Sequence, residues 1–226
     1  MNPNQSLLTA LLGLLLVAGC ATETHQAVAP THTASAGTAY AGARYTLAVG
    51  KFDNRSAYLR GIFSDGVDRL GSQAKTILKT HLQETNRFVV VDRANMDEIK
   101  REAEIRSADQ ALKGAHVVLT GDVTEFGRKT TGDVALFGIL GAGKKQVAYA
   151  KVALNVVDVR TSEILFSAQG AGEFALSNRE ILGTGGTAGY DATLNDKVLD
   201  LAIREAVERL VEGLQAGAWQ PSTGNQ

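Results

Sequence analysis

The stretch 138–144 has the spacing of a phosphate-binding loop, G-x-x-x-x-G-K. Such a loop places a Ser or Thr after the lysine, where its hydroxyl binds magnesium, but Lys145 stands there in this sequence. A phosphate loop must also open a helix, because the amides at the helix N-terminus hold the anion. The residues that follow, 147–159, are rich in β-branched side chains and predict a strand instead. We therefore interpret the stretch as a glycine-rich turn with bends at Gly138, Gly141 and Gly143.

The remaining residues show no spacing typical of catalysis or metal binding. The sequence contains neither G-x-S-x-G nor H-E-x-x-H. Its formal net charge of -1 offers no basic field for nucleic acid. We therefore expect a protein that is not an enzyme, holds no metal or cofactor and binds no nucleic acid. The chain has four histidines, and their spacing is not that of metal ligands: His25, His32, His81 and His116.

The first twenty residues predict secretion and lipid anchoring. Leu7–Gly19 is an apolar run of signal-peptide length, too short to span a bilayer comfortably. It ends in LVAGC, which resembles the lipobox of bacterial lipoproteins, where the signal is cleaved before the cysteine and the cysteine is acylated. We therefore predict a signal peptide over 1–19 and lipidation at Cys20, the only cysteine of the chain. The alternative is an ordinary secretory signal with an incidental cysteine.

The residues after the cysteine predict a tether and then one domain. Residues 21–44 are mostly Ala, Thr, Ser and Gly, which is typical of a flexible linker, so we assign 20–44 to the lipidated end and its tether. Ala21, rather than Asp, follows the cysteine, and by resemblance to enterobacterial sorting rules this favours the outer membrane. Residues 45–220 have the length of a single domain, and we expect 221–226 to be a disordered tail.

The hydrophobic pattern of 45–220 predicts an α/β domain, a mixed sheet with two or three packed helices. Apolar residues recur every three or four positions from Val67 and from Val198, which indicates two helices with one buried face each. Asn95 is expected to cap a third. Strands are predicted over 45–52, 88–91, 115–123, 147–159 and 164–168.

Two long segments, 124–150 and 168–194, fit no part of a compact domain. Each leaves the sheet and returns to it, so each could be a β-hairpin whose arms run about 9 to 11 residues, the length of a tilted strand that crosses a bilayer. Two hairpins supply four strands, which is too few to close a barrel, and open edges are not tolerated in lipid. Several subunits would therefore have to contribute to one transmembrane β-barrel.

Several stretches resemble the CsgG-type outer-membrane lipoproteins, a family that includes the secretion channel for curli fibres. The resemblance covers the lipobox and most of residues 45–219. VALNVVDVRTSEIL, residues 152–165, is its most specific part, since two strands joined by a T-x-E turn recur in the family with this spacing. The other matching stretches are RFVVVDRANMDEIKREAEIRSADQ, GAHVVLTGDVTEF, DVALFGILGAGK and GYDATLNDKVLDLAIREAV.

The resemblance implies an anticodon-binding-domain-like α/β fold, a periplasmic ring of subunits and one shared barrel built from two hairpins per subunit. It also implies a channel constriction at AYLRGIF, where Tyr58 and Phe63 match aromatic positions and Ile62 replaces an amide, which makes the inner ring less polar. An alternative for Tyr58 and Phe63 is that they pack onto the core of their own subunit.

Two functions follow from these expectations. The first is an outer-membrane lipoprotein of a curli-type secretion system, whose homo-oligomeric ring exports a polypeptide or works with assembly-accessory proteins. The second is a monomeric periplasmic binding module without a pore, for example an activator of a cell-wall synthase. The long tether favours the module because it gives reach. The two glycine-rich segments favour the channel, since a docking module needs neither.

Overall fold

Five strands form one mixed sheet in the computed structural model, which describes residues 31–58, 66–134, 142–180 and 194–222. The strand order across the sheet is β2-β1-β3-β4-β5. β1 pairs in parallel with β2 and with β3, whereas β3, β4 and β5 pair antiparallel. The predicted mixed sheet is therefore confirmed. The strands are β1 Tyr45–Asn54, β2 Phe88–Val91, β3 Val117–Val134, β4 Ala142–Asp158 and β5 Ile164–Glu180.

Two helices pack against the sheet and supply nearly half of the buried core residues. α1 spans Arg69–Glu84, and Asp68 caps its N-terminus by accepting a hydrogen bond from the Gly71 amide at 2.7 Å. α3 spans Leu194–Gln215 and buries the apolar stripe that its sequence predicts. The fully buried members of that stripe are Val198, Leu199, Ala202, Ile203, Ala206, Val207 and Leu210.

The remaining helix, α2, spans Met96–Ile105 and has no buried residue. Asn95 occupies the predicted N-cap position, but its side chain makes no capping hydrogen bond. It donates instead to Asp92, which also accepts from the Ala94 amide at 2.9 Å. The Ala94 amide, the Asn95 side chain and Lys79 lower the pKa of Asp92 to about 2. The turn before α2 is thus organised around Asp92 rather than Asn95.

The two segments that the sequence predicts as flexible are partly bound to the domain, and both expectations are corrected. The second half of the predicted tether, residues 31–44, belongs to the folded unit, which begins at Thr31. At the other end Pro221 is buried and the Ser222 amide donates to Asp158 at 2.8 Å. Composition misses both contacts because small polar residues bind through backbone groups, which have no sequence signature. Residues 1–30, with Cys20, lie outside the described range.

Candidate functional site: a three-stranded arm of the sheet

Three strands of the sheet continue past the end of β1, and we call residues 124–134, 142–151 and 168–180 the arm; of these, only 168–170 still lie level with β1. β1 makes its last pair with β3 at Asn54 and Val123. Beyond that point the β3–β4 ladder runs on to the pair Val134–Ala142, and the β4–β5 ladder ends at Ala142–Glu180. Residues 124–134, at about 3.3 Å per residue, extend the sheet by about 35 Å.

The arm contains the first predicted hairpin and modifies the second. Residues 124–134 and 142–150 are paired antiparallel, as expected for the arms of the hairpin 124–150. Residues 168–180 do not stand apart from it, because they pair along β4 and make the arm a three-stranded sheet. The remainder of the second candidate hairpin, residues 181–193, lies outside the described residues.

The assignment of Gly143 to the turn is corrected. Gly143 is the second residue of β4, where it pairs with Asp133 on one side and Arg179 on the other. Pairing on both sides fixes an extended backbone at Gly143, which is therefore a strand residue. Gly138 and Gly141, the other two turn candidates, lie outside the described residues.

The face of the arm that adjoins α3 is packed through glycine and alanine. Gly170 and Gly172 lie beneath α3 so closely that a Cβ atom on Gly170 would stand 2.0 Å from the Ala202 carbonyl oxygen. On the neighbouring strand Ala148 and Ala150 are buried. Because small residues let the helix approach the strands, α3 and the base of the arm form one rigid contact. The run QGAGEF therefore serves helix packing rather than a loop.

Tyr58, the first constriction candidate, lies half-buried against the base of this face. Its ring packs against Phe126, with centroids 4.7 Å apart and planes inclined by 60°. Its hydroxyl accepts a hydrogen bond from the Asn195 side-chain amide at 3.0 Å. In the single subunit Tyr58 therefore adopts the core-packed alternative. Ile62 and Phe63, the other two constriction candidates, lie outside the described residues.

Asn195 is a connecting residue that sequence reasoning missed. It stands in the first turn of α3, and its carbonyl oxygen accepts from Arg128 Nε at 2.8 Å while its NH₂ group donates to the Tyr58 hydroxyl. It thus joins the helix to the arm and to the segment after β1. Only the position of an amide just inside a predicted helix could have suggested such a role.

The opposite face of the arm is open and polar at its base. Lys151 and Glu125 form an ion pair across the strands, with Nζ and Oε1 2.8 Å apart and both side chains about half exposed. Tyr149 is 37% exposed on the same face. An exposed pair of this kind contributes little to stability, because water already solvates both charges.

The distal part of the arm keeps a regular three-strand register. One row consists of Asp133, Gly143 and Arg179, and the next consists of Gly132, Lys144 and Asn178. The ladder between β3 and β4 is therefore continuous from Glu125 to Val134.

The turn between β4 and β5, which carries the most specific part of the resemblance, is built around a buried carboxylate. Asp158 Oδ1 accepts from the Arg160 and Thr161 amides at 2.8 and 3.0 Å, and Oδ2 accepts from the Ser222 amide. The Ser222 hydrogen bond, helped by the other two, holds the pKa of Asp158 far below its usual range. The motif DVRTSE is thus a structural turn that also fixes the C-terminal segment.

The described residues form no further chemical centre. Within residues 31–58, 66–134, 142–180 and 194–222, no group of three His, Cys, Asp or Glu side chains could hold a metal ion. No helix of the described chain has both the length and the apolar character needed to cross a membrane. The feature that defines this class of protein is an α/β domain from which a long, paired β arm projects.

Comparison with known proteins identifies the family to which this arm-bearing domain belongs. The family model described as "Curli production assembly/transport component CsgG" matches residues 30–225. A protein of Neisseria meningitidis serogroup B, NMB1126/NMB1164, whose name describes a lipoprotein, is 64% identical over 204 residues, which is 90% of this chain and 92% of that protein. The chain belongs to the CsgG family.

Two solved structures are similar to the chain at much lower identity. The PelC dodecamer from Paraburkholderia phytofirmans is 15% identical with a TM-score of 0.35, over 80% of this chain and 93% of that one. Lipoprotein GNA1162 from Neisseria meningitidis is 15% identical with a TM-score of 0.36, over 76% of this chain and 99% of that one.

Proposed function

We propose that this protein is an outer-membrane lipoprotein that forms a homo-oligomeric ring and serves as an export channel for a polypeptide. Acylation of Cys20 would anchor each subunit, with its domain in the periplasm. The proposed activity is passage of cargo rather than catalysis. Membership of the CsgG family and the 64% identity to a protein named as a lipoprotein support the anchoring and the general role.

The observation that carries the proposal is the pair of open edges on the arm. Among the described residues no strand pairs with the outer edge of β5, or with β3 beyond Val123. Long unpaired edges expose backbone N–H and C=O groups and favour pairing with another chain. Neighbouring subunits in a ring could satisfy these edges and build one continuous sheet from their arms.

A second candidate, the tethered binding module without a pore, is favoured by a different observation. Transmembrane strands alternate between an apolar face toward lipid and a polar face toward the lumen. At the base of the arm the Glu125–Lys151 ion pair lies on one face, and Arg128 donates to Asn195 of α3 on the other. An arm of this composition suits pairing in water with a partner protein, such as an assembly accessory or a cell-wall synthase.

Size and conductance of the purified lipoprotein would separate the two candidates. The lipidated full chain is extracted from outer membranes in detergent, its particle mass is measured, and single-channel currents are recorded in a planar bilayer. The channel predicts a ring with stable conductance. A monomer, or a ring that never conducts although it is folded, would contradict the channel and leave the binding module.

The constriction is tested best at Phe63. Tyr58→Ala would disturb the contact with Phe126 and so confuse a pore effect with a folding defect. We expect Phe63→Ala to raise unit conductance measurably without altering particle mass. Ile105→Ala is the matched control, because Ile105 is 71% exposed on α2 and should leave conductance unchanged. If the wild type, Phe63→Ala and Ile105→Ala have equal unit conductance, Phe63 does not line the constriction.

A further inference from the structure

Residues 31–44, which we call the strap, lie docked on α1 and α3. The strap makes two turns of its own, with hydrogen bonds from the Ala36 amide to the Thr33 carbonyl and from the Thr38 amide to the Ser35 carbonyl. Thr33 is only 3% exposed. The Ala34 amide donates to Glu208 Oε1 on α3 at 3.0 Å. Since the strap leads toward Cys20, it is the connection between the domain and the proposed lipid anchor.

A buried arginine holds the middle of the strap. Arg87 is 5% exposed, and its Nη1 donates to the carbonyl oxygens of Ser35 at 3.1 Å and Thr38 at 3.3 Å. The Tyr40 ring covers the guanidinium, with its centroid 5.0 Å from the guanidinium carbon. These contacts do not change between pH 5 and 9, because a guanidinium keeps its charge throughout that range.

The end of the strap is held by two carboxylates that share one histidine. His81 Nε2 lies 2.8 Å from Asp200 Oδ1, and His81 Nδ1 lies 3.4 Å from Glu84 Oε2. The other oxygen of each carboxylate contacts the strap. Asp200 Oδ2 accepts from the Thr31 hydroxyl, and Glu84 Oε1 lies 3.3 Å from His32 Nδ1. His81 itself is 2% exposed between α1 and α3.

This geometry favours a proton on each nitrogen of His81, because each nitrogen faces a carboxylate oxygen. A neutral imidazole carries one N–H and one lone pair, so one of the two carboxylates would face a lone pair. The charged groups around His81 are Glu84 from α1, Asp200 from α3 with Arg204 acting on its charge, and His32 from the strap. Burial alone would lower the pKa of His81, but the hydrogen bonds and charges of Asp200 and Glu84 outweigh it and raise that pKa above 6.5.

We propose that the strap is a releasable latch, closed while His81 is doubly protonated and loosened when it gives one proton to solvent. Once a nitrogen of His81 loses its proton, the carboxylate facing it loses a donor and turns away. Its strap contact, at Thr31 or His32, is lost with it. Arg87 and the hydrogen bond from Ala34 to Glu208 still hold the middle of the strap, so its free end opens first.

The direction of the pH dependence follows from the raised pKa of His81. The contribution of the latch is fully present below pH 6.5, the ordinary value, and is lost as the pH rises through the higher pKa of the folded state. If Cys20 is lipidated as proposed, full release would add residues 31–44 to the tether. A coil of this length has a root-mean-square span of about 20 Å. That consequence rests on the proposed function, whereas the latch itself does not.

Limited digestion of the intact lipoprotein with chymotrypsin measures release directly. Cleavage after Tyr40 needs only strap residues to be free, whereas cleavage after Leu112, which is 56% exposed in the segment between α2 and β3, serves as a reference. The ratio of the two initial rates cancels the effect of pH on the protease. We expect this ratio to rise about tenfold between pH 6 and pH 8.5, the effect of losing roughly one charge-assisted hydrogen bond.

Three variants test whether the pH dependence of the cleavage ratio arises from His81. His81→Gln cannot bridge the two carboxylates as a cation, so its cleavage ratio should already be high at pH 6 and its pH step should be much smaller than that of the wild type, although His32 still faces Glu84. Thr31→Val, on the exposed end of the strap, should raise the ratio about threefold at pH 6 without affecting the fold. Glu208→Gln is the matched control, because it keeps an acceptor for Ala34 and lies apart from His81; the pH step should persist. A pH-independent ratio in the folded wild-type protein, or an unchanged step in His81→Gln, would overturn the latch.

Discussion

The two faces of the arm at its base are built from the same three strands, but one is packed against α3 and the other is exposed to solvent. On one face α3 rests on Gly170, and Phe126 packs beside Tyr58 with only 6% of its surface exposed. On the other face Glu125 pairs with Lys151 in water, and Tyr149 lies open. The first face joins the arm to the domain, whereas the second is held by no described helix.

This contrast indicates how a long sheet can project from a small domain. Packing against α3 fixes the direction of the arm at its base, since closely packed interiors resist deformation. The open face and the open edges then remain available for another chain. Substitutions on the two faces should therefore differ strongly in their effects on stability, and the following pairs test that difference from the largest effect to the smallest.

The largest difference is expected between two aromatic residues. Phe126→Ala removes a buried ring and should lower the free energy of unfolding by about 4 kcal/mol. Tyr149→Ala, on the open face, should cost about 1 kcal/mol, because its ring is already partly exposed. Urea unfolding followed by circular dichroism measures both values. Equal losses would mean that the two faces are packed alike.

A second pair compares the same substitution at two glycines. Gly170→Ala places a methyl group against the Ala202 carbonyl oxygen of α3 and should cost about 3 kcal/mol. Gly127→Ala meets only the end of the Tyr149 side chain, 2.6 Å from its hydroxyl oxygen, which can swing into solvent. We expect it to change the free energy of unfolding by less than about 0.5 kcal/mol. A tolerated Gly170→Ala would show that α3 is free to shift on the arm.

A smaller effect is expected from the hydroxyl of Tyr58. Tyr58→Phe keeps the ring on Phe126 but removes the acceptor for Asn195, so it should cost about 1 kcal/mol. Asn195→Ala should have a larger effect, because it also removes the acceptor for Arg128. Combining Tyr58→Phe with Asn195→Ala should add little to Asn195→Ala alone. Full additivity in this double-mutant cycle would contradict a shared hydrogen-bond network.

The smallest effect is expected at the ion pair of the open face. Glu125→Gln should lower the free energy of unfolding by no more than about 0.5 kcal/mol, and less at high salt, because water screens the pair. A loss well above 1 kcal/mol in the purified subunit would show that this face is more enclosed than the single chain indicates. Thermal unfolding at two salt concentrations measures the difference.

Much of the secondary structure of the domain could be predicted from the sequence, because apolar residues recur with the period of a helix or a strand. The apolar stripe from Val198 to Leu214 predicted α3, because apolar residues that recur every 3.6 positions form one buried face of a helix. The first hairpin was predicted from its length alone, since a loop of that length is improbable in a compact domain. Residues 168–180 were harder to interpret, because glycine in QGAGEF indicates a loop until α3 is known to lie on Gly170.

Candidate functional residues could be predicted from the sequence when a local motif marks them, but not when their partners are distant in the chain. Cys20 was proposed from a local motif, which a sequence displays in full, but its lipidation still requires experiment. The roles of Asn195 and His81 were missed, because their partners lie far away in the chain: Tyr58 and Arg128 for Asn195, and Asp200 for His81. The docking of residues 31–44 was predicted wrongly for a related reason, since it depends on Arg87 and on backbone groups.

Sequence by itself determined the period of the main helices and of the central strands and displayed the motif at Cys20, because these depend on neighbours within a few positions. Only the tertiary structure decided which glycines lie beneath α3, that β5 joins the arm along β4, and that His81 stands between two carboxylates. These features depend on contacts between distant parts of the chain. Such contacts form only when the sheet brings those parts together, and no local pattern of residue types specifies them.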